Sequence, residues 1–163
     1  MKNIIRSMLA GLAAGFCITT CAYAQTATDA DFQFGVYRRA IENSGADSAW
    51  LFRRPIATSR TPSYVIYRND KIAGLVPGDT FQARLDIAGE LNEAAVFVVR
   101  WEETAQASFR SLHGYIQSIE PGGARLGTFR LTMRLGGSEL TGCVQIQDKD
   151  YCFIGKNGVG WVS

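Results

Sequence analysis

Histidine is nearly absent from this chain: of 163 residues, only His113 is one. Cysteine and proline are scarce, at four each, and the net charge is only +2. Each shortage excludes a class of function. A zinc site of Cys and His ligands cannot be filled without carboxylates, and no His-Glu-x-x-His motif is present. Nucleophile–base catalysis would have to use His113, which sits in Ser111-Leu112-His113-Gly114 without a Gly-x-Ser-x-Gly elbow. His113 therefore reads as a surface or packed histidine. No phosphate-cradling loop occurs, since Gly155-Lys156-Asn157-Gly158 is a turn. Glu102 and Glu103 are adjacent, so on a strand they point to opposite faces and cannot form a hydrolase pair. The charge balance lacks the basic excess of a dedicated nucleic-acid binder. The reading is non-enzymatic, with no catalytic residue, metal or cofactor and no nucleic-acid partner.

Long apolar runs are missing beyond the first segment. That segment, MKNIIRSMLAGLAAGFCITTCAYA, joins a basic start (Lys2, Arg6) to an apolar run over Met8–Ile18 and a small-x-small site at Ala22-Tyr23-Ala24. These are the parts of a secretory signal peptide over residues 1–24. The run is shorter than the roughly 20 residues a spanning helix needs. Phe16 and Thr20 precede Cys17 and Cys21 where a lipoprotein signal has other residues, so lipidation is not expected. The mature chain is then expected to be periplasmic or secreted, without stable membrane insertion. Its Cys143 and Cys152, an even pair in an oxidising compartment, read as a disulfide.

What is present is β-like. Residues 25–31 read as a flexible start and residues 32–163 as a single β-rich domain. Val36–Asn43 places Val36, Tyr37, Ala40 and Ile41 on one helical face, ended by Ser44-Gly45, and predicts one short N-terminal helix. Residues 53–62 carry two prolines and read as a loop. From Tyr64 the period becomes two. Tyr64–Arg68 reads as a strand, Asn69-Asp70-Lys71 as a turn, and Ile72–Val76 as the partner strand. Phe81, Ala83, Leu85 and Ile87 alternate with polar residues. Ala94–Trp101 is apolar on both faces, which suits a strand covered on both sides. Further strands are expected over Leu112–Ile119, Phe129–Leu135, Glu139–Ile146 and Val159–Val162. The fold class is all-β, an antiparallel sandwich or small barrel of about seven to eight strands. Opposing Cys143 to Cys152 sets Val144 against Tyr151, Gln145 against Asp150 and Ile146 against Lys149. Val144, Ile146, Tyr151 and Phe153 then share one apolar face, so the disulfide fits the register.

The positive charge is mostly arginine. Removing Lys2 and Arg6 with the leader takes the basic count from 17 to 15, against 15 acidic residues. Only Lys71, Lys149 and Lys156 of those are lysines. Arg84, Arg100, Arg130 and Arg134 fall in strands and are the candidate partner-binding residues, because the planar guanidinium makes directional contacts at interfaces.

Pro77-Gly78-Asp79-Thr80-Phe81, Phe97-Val98-Val99, Ser111-Leu112-His113-Gly114-Tyr115-Ile116, Gly127-Thr128-Phe129-Arg130-Leu131 and Leu140-Thr141-Gly142-Cys143-Val144-Gln145-Ile146 follow one another with short turns between. Over residues 75–162 this pattern resembles the N-terminal propeptide of secreted bacterial metzincin-type zinc proteases. The resemblance implies a β-rich module that covers, inhibits or helps fold a protease. Some such propeptides offer a free Cys to the catalytic zinc, whereas Cys143 here has Cys152 as a natural partner. The leading expectation is an exported protein-binding β domain, acting as a stand-alone propeptide-like inhibitor or chaperone of an exported protease. The alternative is a periplasmic barrel around a small apolar ligand, with Trp50, Trp101, Trp161 and Tyr115 lining its cavity.

Overall fold

The computed structural model describes residues 30–53, 63–87, 91–106, 108–135 and 138–162. The expected leader over 1–24, residues 25–29, most of the 53–62 loop and the Gly136-Gly137 turn lie outside the described residues. The elements are β1 (Phe32–Val36), α1 (Arg38–Asn43), a 3-10 turn (Leu51–Arg53), β2 (Tyr64–Tyr67), α2 (Asn69–Gly74), β3 (Thr80–Ile87), β4 (Leu91–Gln106), β5 (Phe109–Ser118), β6 (Arg125–Arg134), β7 (Glu139–Ile146), β8 (Lys149–Lys156) and β9 (Val159–Val162). The strands close into a barrel in the order β1-β2-β9-β8-β7-β6-β5-β4-β3, with β3 returning to β1. Every pairing is antiparallel except β1 with β3. Closure decides between sandwich and barrel, and the described residues hold nine strands, close to the seven to eight expected.

Local chemistry explains the meander. Asn157-Gly158 and Gln147-Asp148 both hold left-handed backbone, with φ of 55° and 86° and of 49° and 64°. Such two-residue turns match the twist of the strands they join. The β7–β8 register is the one the disulfide requires: Cys143 faces Cys152, Val144 faces Tyr151, Gln145 faces Asp150 and Ile146 faces Lys149. The Cys143–Cys152 disulfide is formed.

Four readings need correction. β1 precedes the helix: Phe32 and Phe34 are buried and Val36 ends the strand, while Tyr37, in extended backbone, caps α1. Gly35 explains why a short strand can bond on both sides. Its φ is +88°, the register shifts there, and a Cβ would lie 1.6 Å from the Asp86 carbonyl oxygen. Residues 72–76 are not a strand. Residues 69–74 form α2, which buries Ile72 and is followed by buried Leu75, the two lying three apart as a helical turn demands. Finally, β4 is covered on one side only: Ala95, Phe97 and Val99 are fully buried, whereas Val96 and Val98 are half-exposed on the outer wall. Asp31, assigned to a flexible start, is tied down, its carbonyl accepting from the Arg68 amide at 2.9 Å.

The lumen is filled by side chains. Phe32, Phe34, Phe81, Phe97, Phe129 and Phe153 are all 3% exposed or less. Phe97 lies 4.8 Å from both Phe81 and Phe129 between ring centroids, and Phe32 lies 5.7 Å from Phe97 and 5.4 Å from Phe153. The expected aromatic lining is elsewhere. Trp101 is 55% exposed on the outer wall, and Trp50 and Trp161 pack with Ile41, Leu51, Tyr64 and Val159 in a second cluster outside β2 and β9. The N-terminal segment thus covers one stretch of the barrel's outer face.

β4, at 16 residues, outruns its neighbour. Pairing with β3 ends at Val98–Thr80, and the Asp79 and Gly78 backbones extend it only to Val99. Pairing with β5 continues to Gln106–Phe109. Under this overhanging hairpin, Arg110 closes the barrel end. Its guanidinium donates to both Glu102 carboxylate oxygens, at 2.7 and 2.9 Å, to the Ala73 carbonyl at 3.0 Å, and to the Leu75 carbonyl. A cation thereby satisfies carbonyls at the C-terminus of α2, where the helix dipole favours it.

Candidate functional site

Antiparallel register lines up the outward positions of β4 to β8. Trp101 faces His113, His113 faces Arg130, Arg130 faces Cys143 and Cys143 faces Cys152, so one row of side chains crosses five strands. The next row runs Val98, Tyr115, Thr128, Gln145 and Asp150. Between Val99 and Trp101 the register shifts, leaving Arg100 as the extra residue of a bulge. The two rows border an open groove of about 320 Å³ that also takes in Arg100 and Arg125. Gly114 allows the close packing beneath it: a Cβ there would lie 1.9 Å from the Val98 carbonyl oxygen and 2.8 Å from the Phe129 ring.

The aromatic part is layered. The Trp101 and His113 rings stack at 5.0 Å with 10° between planes, and the outer face of the pair is open because Trp101 is exposed. The Arg100 and Arg125 guanidinium carbons lie 5.9 and 5.4 Å from the Tyr115 ring centre. Cation–π contact at this range is attractive but leaves the guanidinium donors available. Among the described residues no carboxylate lies within 4.0 Å of Arg100, Arg125 or Arg130; the arginine ion pairs there are those of Arg38, Arg68 and Arg110. Thr128 donates to Gln145 Oε1 at 3.4 Å, which directs the Gln145 amide nitrogen away from it as a further donor.

His113 has a side chain 15% exposed, and its Nε2 lies 3.5 Å from Glu103 Oε2. Nε2 is buried without an aligned hydrogen bond, so this contact is an electrostatic approach only. Burial, with Arg130 opposite, holds the imidazole below its ordinary pKa; Glu103 opposes that shift and is outweighed. His113 is therefore neutral near pH 7. Ser111, on the same strand, is buried, and its hydroxyl is 2.8 Å from the Thr132 hydroxyl. Among the described residues, no three His, Cys, Asp or Glu side chains gather as metal ligands. No helix there is long and apolar enough to cross a membrane.

Of the arginines singled out from sequence, the structure brings Arg100 and Arg130 together in the groove. Arg84 is half-buried on β3 and donates to Asn92 Oδ1 at 3.2 Å. Arg134 ends β6 opposite Phe109. Neither lines the groove. Sequence reasoning missed Arg125, which follows the Pro121–Gly123 turn, and its alternative reading placed Trp101 and Tyr115 inside the barrel. Period-two alternation with the inward Leu112 and Gly114 sets Tyr115 outward, but Trp101 shares the parity of the inward Phe97 and Val99 and is turned outward only by the bulge at Arg100.

No protein-family model matches the chain, and no curated protein does. Among solved structures, a chain described as "Structure of a chaperone-substrate complex" is 18% identical with a TM-score of 0.46, over 62% of this chain and 80% of that one. That likeness is too loose to carry an argument about fold or function.

Proposed function

We propose that this chain is an exported, non-enzymatic β-barrel that binds another protein through the groove on its β4–β8 wall. The carrying observation is three arginines, without a carboxylate partner among the described residues, set around the exposed Trp101 ring and the half-buried His113 and Tyr115 rings. Interfaces are enriched in arginine and in the large aromatics, and such residues dominate binding energy where they cluster. The filled lumen leaves the outer wall as the place for recognition. The disulfide supports an oxidising compartment, as the leader-like N-terminus does. The resemblance to metzincin propeptides makes an exported protease the partner to test, with this chain as its inhibitor or folding aid.

The test adds the purified protein to exported metalloprotease activity, read by cleavage of labelled casein, and compares it with Trp101→Ala/Arg130→Gln. Slowed cleavage that the double variant loses is the expected result. If the protein neither slows nor co-elutes with any exported protease, the protease reading fails. If slowing persists undiminished in the variant, the groove is not the docking surface.

A further inference from the structure

We propose that the groove recognises carboxylate side chains of an extended acidic segment, held over Tyr115 between Arg100 and Arg125 with Arg130 alongside. The proposal rests on the protein-docking reading and names the chemistry of that partner. Arg100 is on β4 and Arg125 on β6, on either side of the β5 strand that carries Tyr115. Both guanidiniums lean on the same ring, at 5.9 and 5.4 Å. Two like charges drawn to one ring, with no carboxylate of this chain within ion-pair distance among the described residues, form a site completed by an anion from outside. Arg100 is placed there by the β4 bulge, and bulges commonly re-aim side chains at functional surfaces.

The surroundings select a carboxylate on a peptide over a dense polyanion. Asp150 lines the same groove, and Glu103 stands beside His113. Negative charge at these two places repels a closely phosphorylated or sulfated chain but tolerates carboxylates spaced along a peptide. Alternate residues of an extended segment put side chains on one face about 7 Å apart, so successive carboxylates can meet different arginines of the groove. The exposed Trp101 face offers an apolar shelf for an intervening side chain. The Gln145 amide adds a neutral donor. The mature chain has 15 basic and 15 acidic residues, so it exerts no general pull on polyanions and the attraction is local to this groove.

The experiment measures fluorescence anisotropy of two labelled ten-residue peptides with the purified protein, one with alternating Asp/Glu and the other with Asn/Gln in those places. The acidic peptide is expected to bind at least tenfold more tightly and to weaken as salt rises. Arg100→Gln/Arg125→Gln should remove that tenfold, whereas Arg84→Gln, outside the groove, should stay within twofold of the parent. Circular dichroism and melting temperature check that each variant is folded. Equal binding of the two peptides would overturn the proposal. So would equal losses in the Arg84→Gln control, or binding of a sulfated oligosaccharide at these arginines in place of the peptide. The same double variant is also run in the protease assay. If the parent shows no preference for the acidic peptide and yet the double variant loses inhibition, the carboxylate assignment alone falls; if the double variant keeps both inhibition and acidic-peptide binding, the docking site falls as well.

Discussion

At the scale of single residues, His113 carries the clearest consequence. Its folded pKa lies below its unfolded value of about 6.5, because burial and Arg130 outweigh Glu103. The unfolded chain therefore binds more protons than the folded one in the window just below that value. The sign follows: the contribution is fully present above about pH 6.5 and is lost as pH falls through the folded pKa. Melting curves between pH 7.5 and pH 5 should show the parent losing more stability than His113→Gln. Parallel pH profiles would contradict the assignment. Gly114 makes a second case. A Cβ at this position would stand 1.9 Å from the Val98 carbonyl oxygen, so Gly114→Ala must push β4 and β5 apart. It should cost more than about 3 kcal/mol in urea denaturation, at the severe end of single substitutions.

At the scale of elements, the β7–β8 hairpin was legible in full. Alternation, the cysteine spacing and a two-residue turn all specify one register, and the pairing follows it. Its disulfide closes a short loop, with the cysteines nine positions apart, so its entropic effect is modest. Cys143→Ser/Cys152→Ser should lose roughly 2–3 kcal/mol while keeping its strand content by circular dichroism. Intact mass before and after reduction should differ by two hydrogens. β1 and α2 were not legible, for different reasons. β1 has five residues and a glycine at its bulge, too few alternations to outweigh the helical spacing of Val36, Tyr37, Ala40 and Ile41. In α2, Ile72 and Val76 suit a period of two while Ile72 and Leu75 suit a helical turn, the run is too short to choose between them, and the Asn-Asp start suits a turn as well as a first helical turn. What selects the helix is the barrel end it covers, where Arg110 joins Glu102 to the Ala73 and Leu75 carbonyls. Arg110→Ala should therefore cost about 2–4 kcal/mol, since it strands a partly buried carboxylate and those carbonyls. Faster hydrogen exchange confined first to residues 69–75 would locate the effect.

At the scale of the whole molecule, stability rests on the packed lumen. Phe97 is fully buried and touches three other phenylalanine rings. Phe97→Ala should lose about 3–5 kcal/mol, by transfer and cavity terms together, measured by denaturant unfolding. A loss below about 1 kcal/mol would mean that the lumen is loosely filled. Closure also decides how a partner can bind. Most strand edges are paired around the ring, so strand addition has little to use and recognition passes to side chains on the wall. Among the described residues, one overhanging side, that of β4 beyond Val99, carries Glu103, a charge that opposes edge-to-edge pairing between copies.

The amino-acid sequence by itself determined the β class, the strands from Phe81 onward, the C-terminal turns and the disulfide register. Each of these is written in contacts between near neighbours, where side-chain period and turn chemistry suffice. The arginine excess was visible there too, but its division was not: Arg84 and Arg134 look the same as Arg100 and Arg130 along the chain. Only the tertiary structure separated them. Closing the strands into a ring made the interior a fixed volume that phenylalanines fill, and the bulge at Arg100 turned Trp101 to the outer wall beside Tyr115. Cross-strand register then aligned residues far apart in sequence into one groove. Long-range pairing is the sum of many weak local preferences, and no single segment contains it.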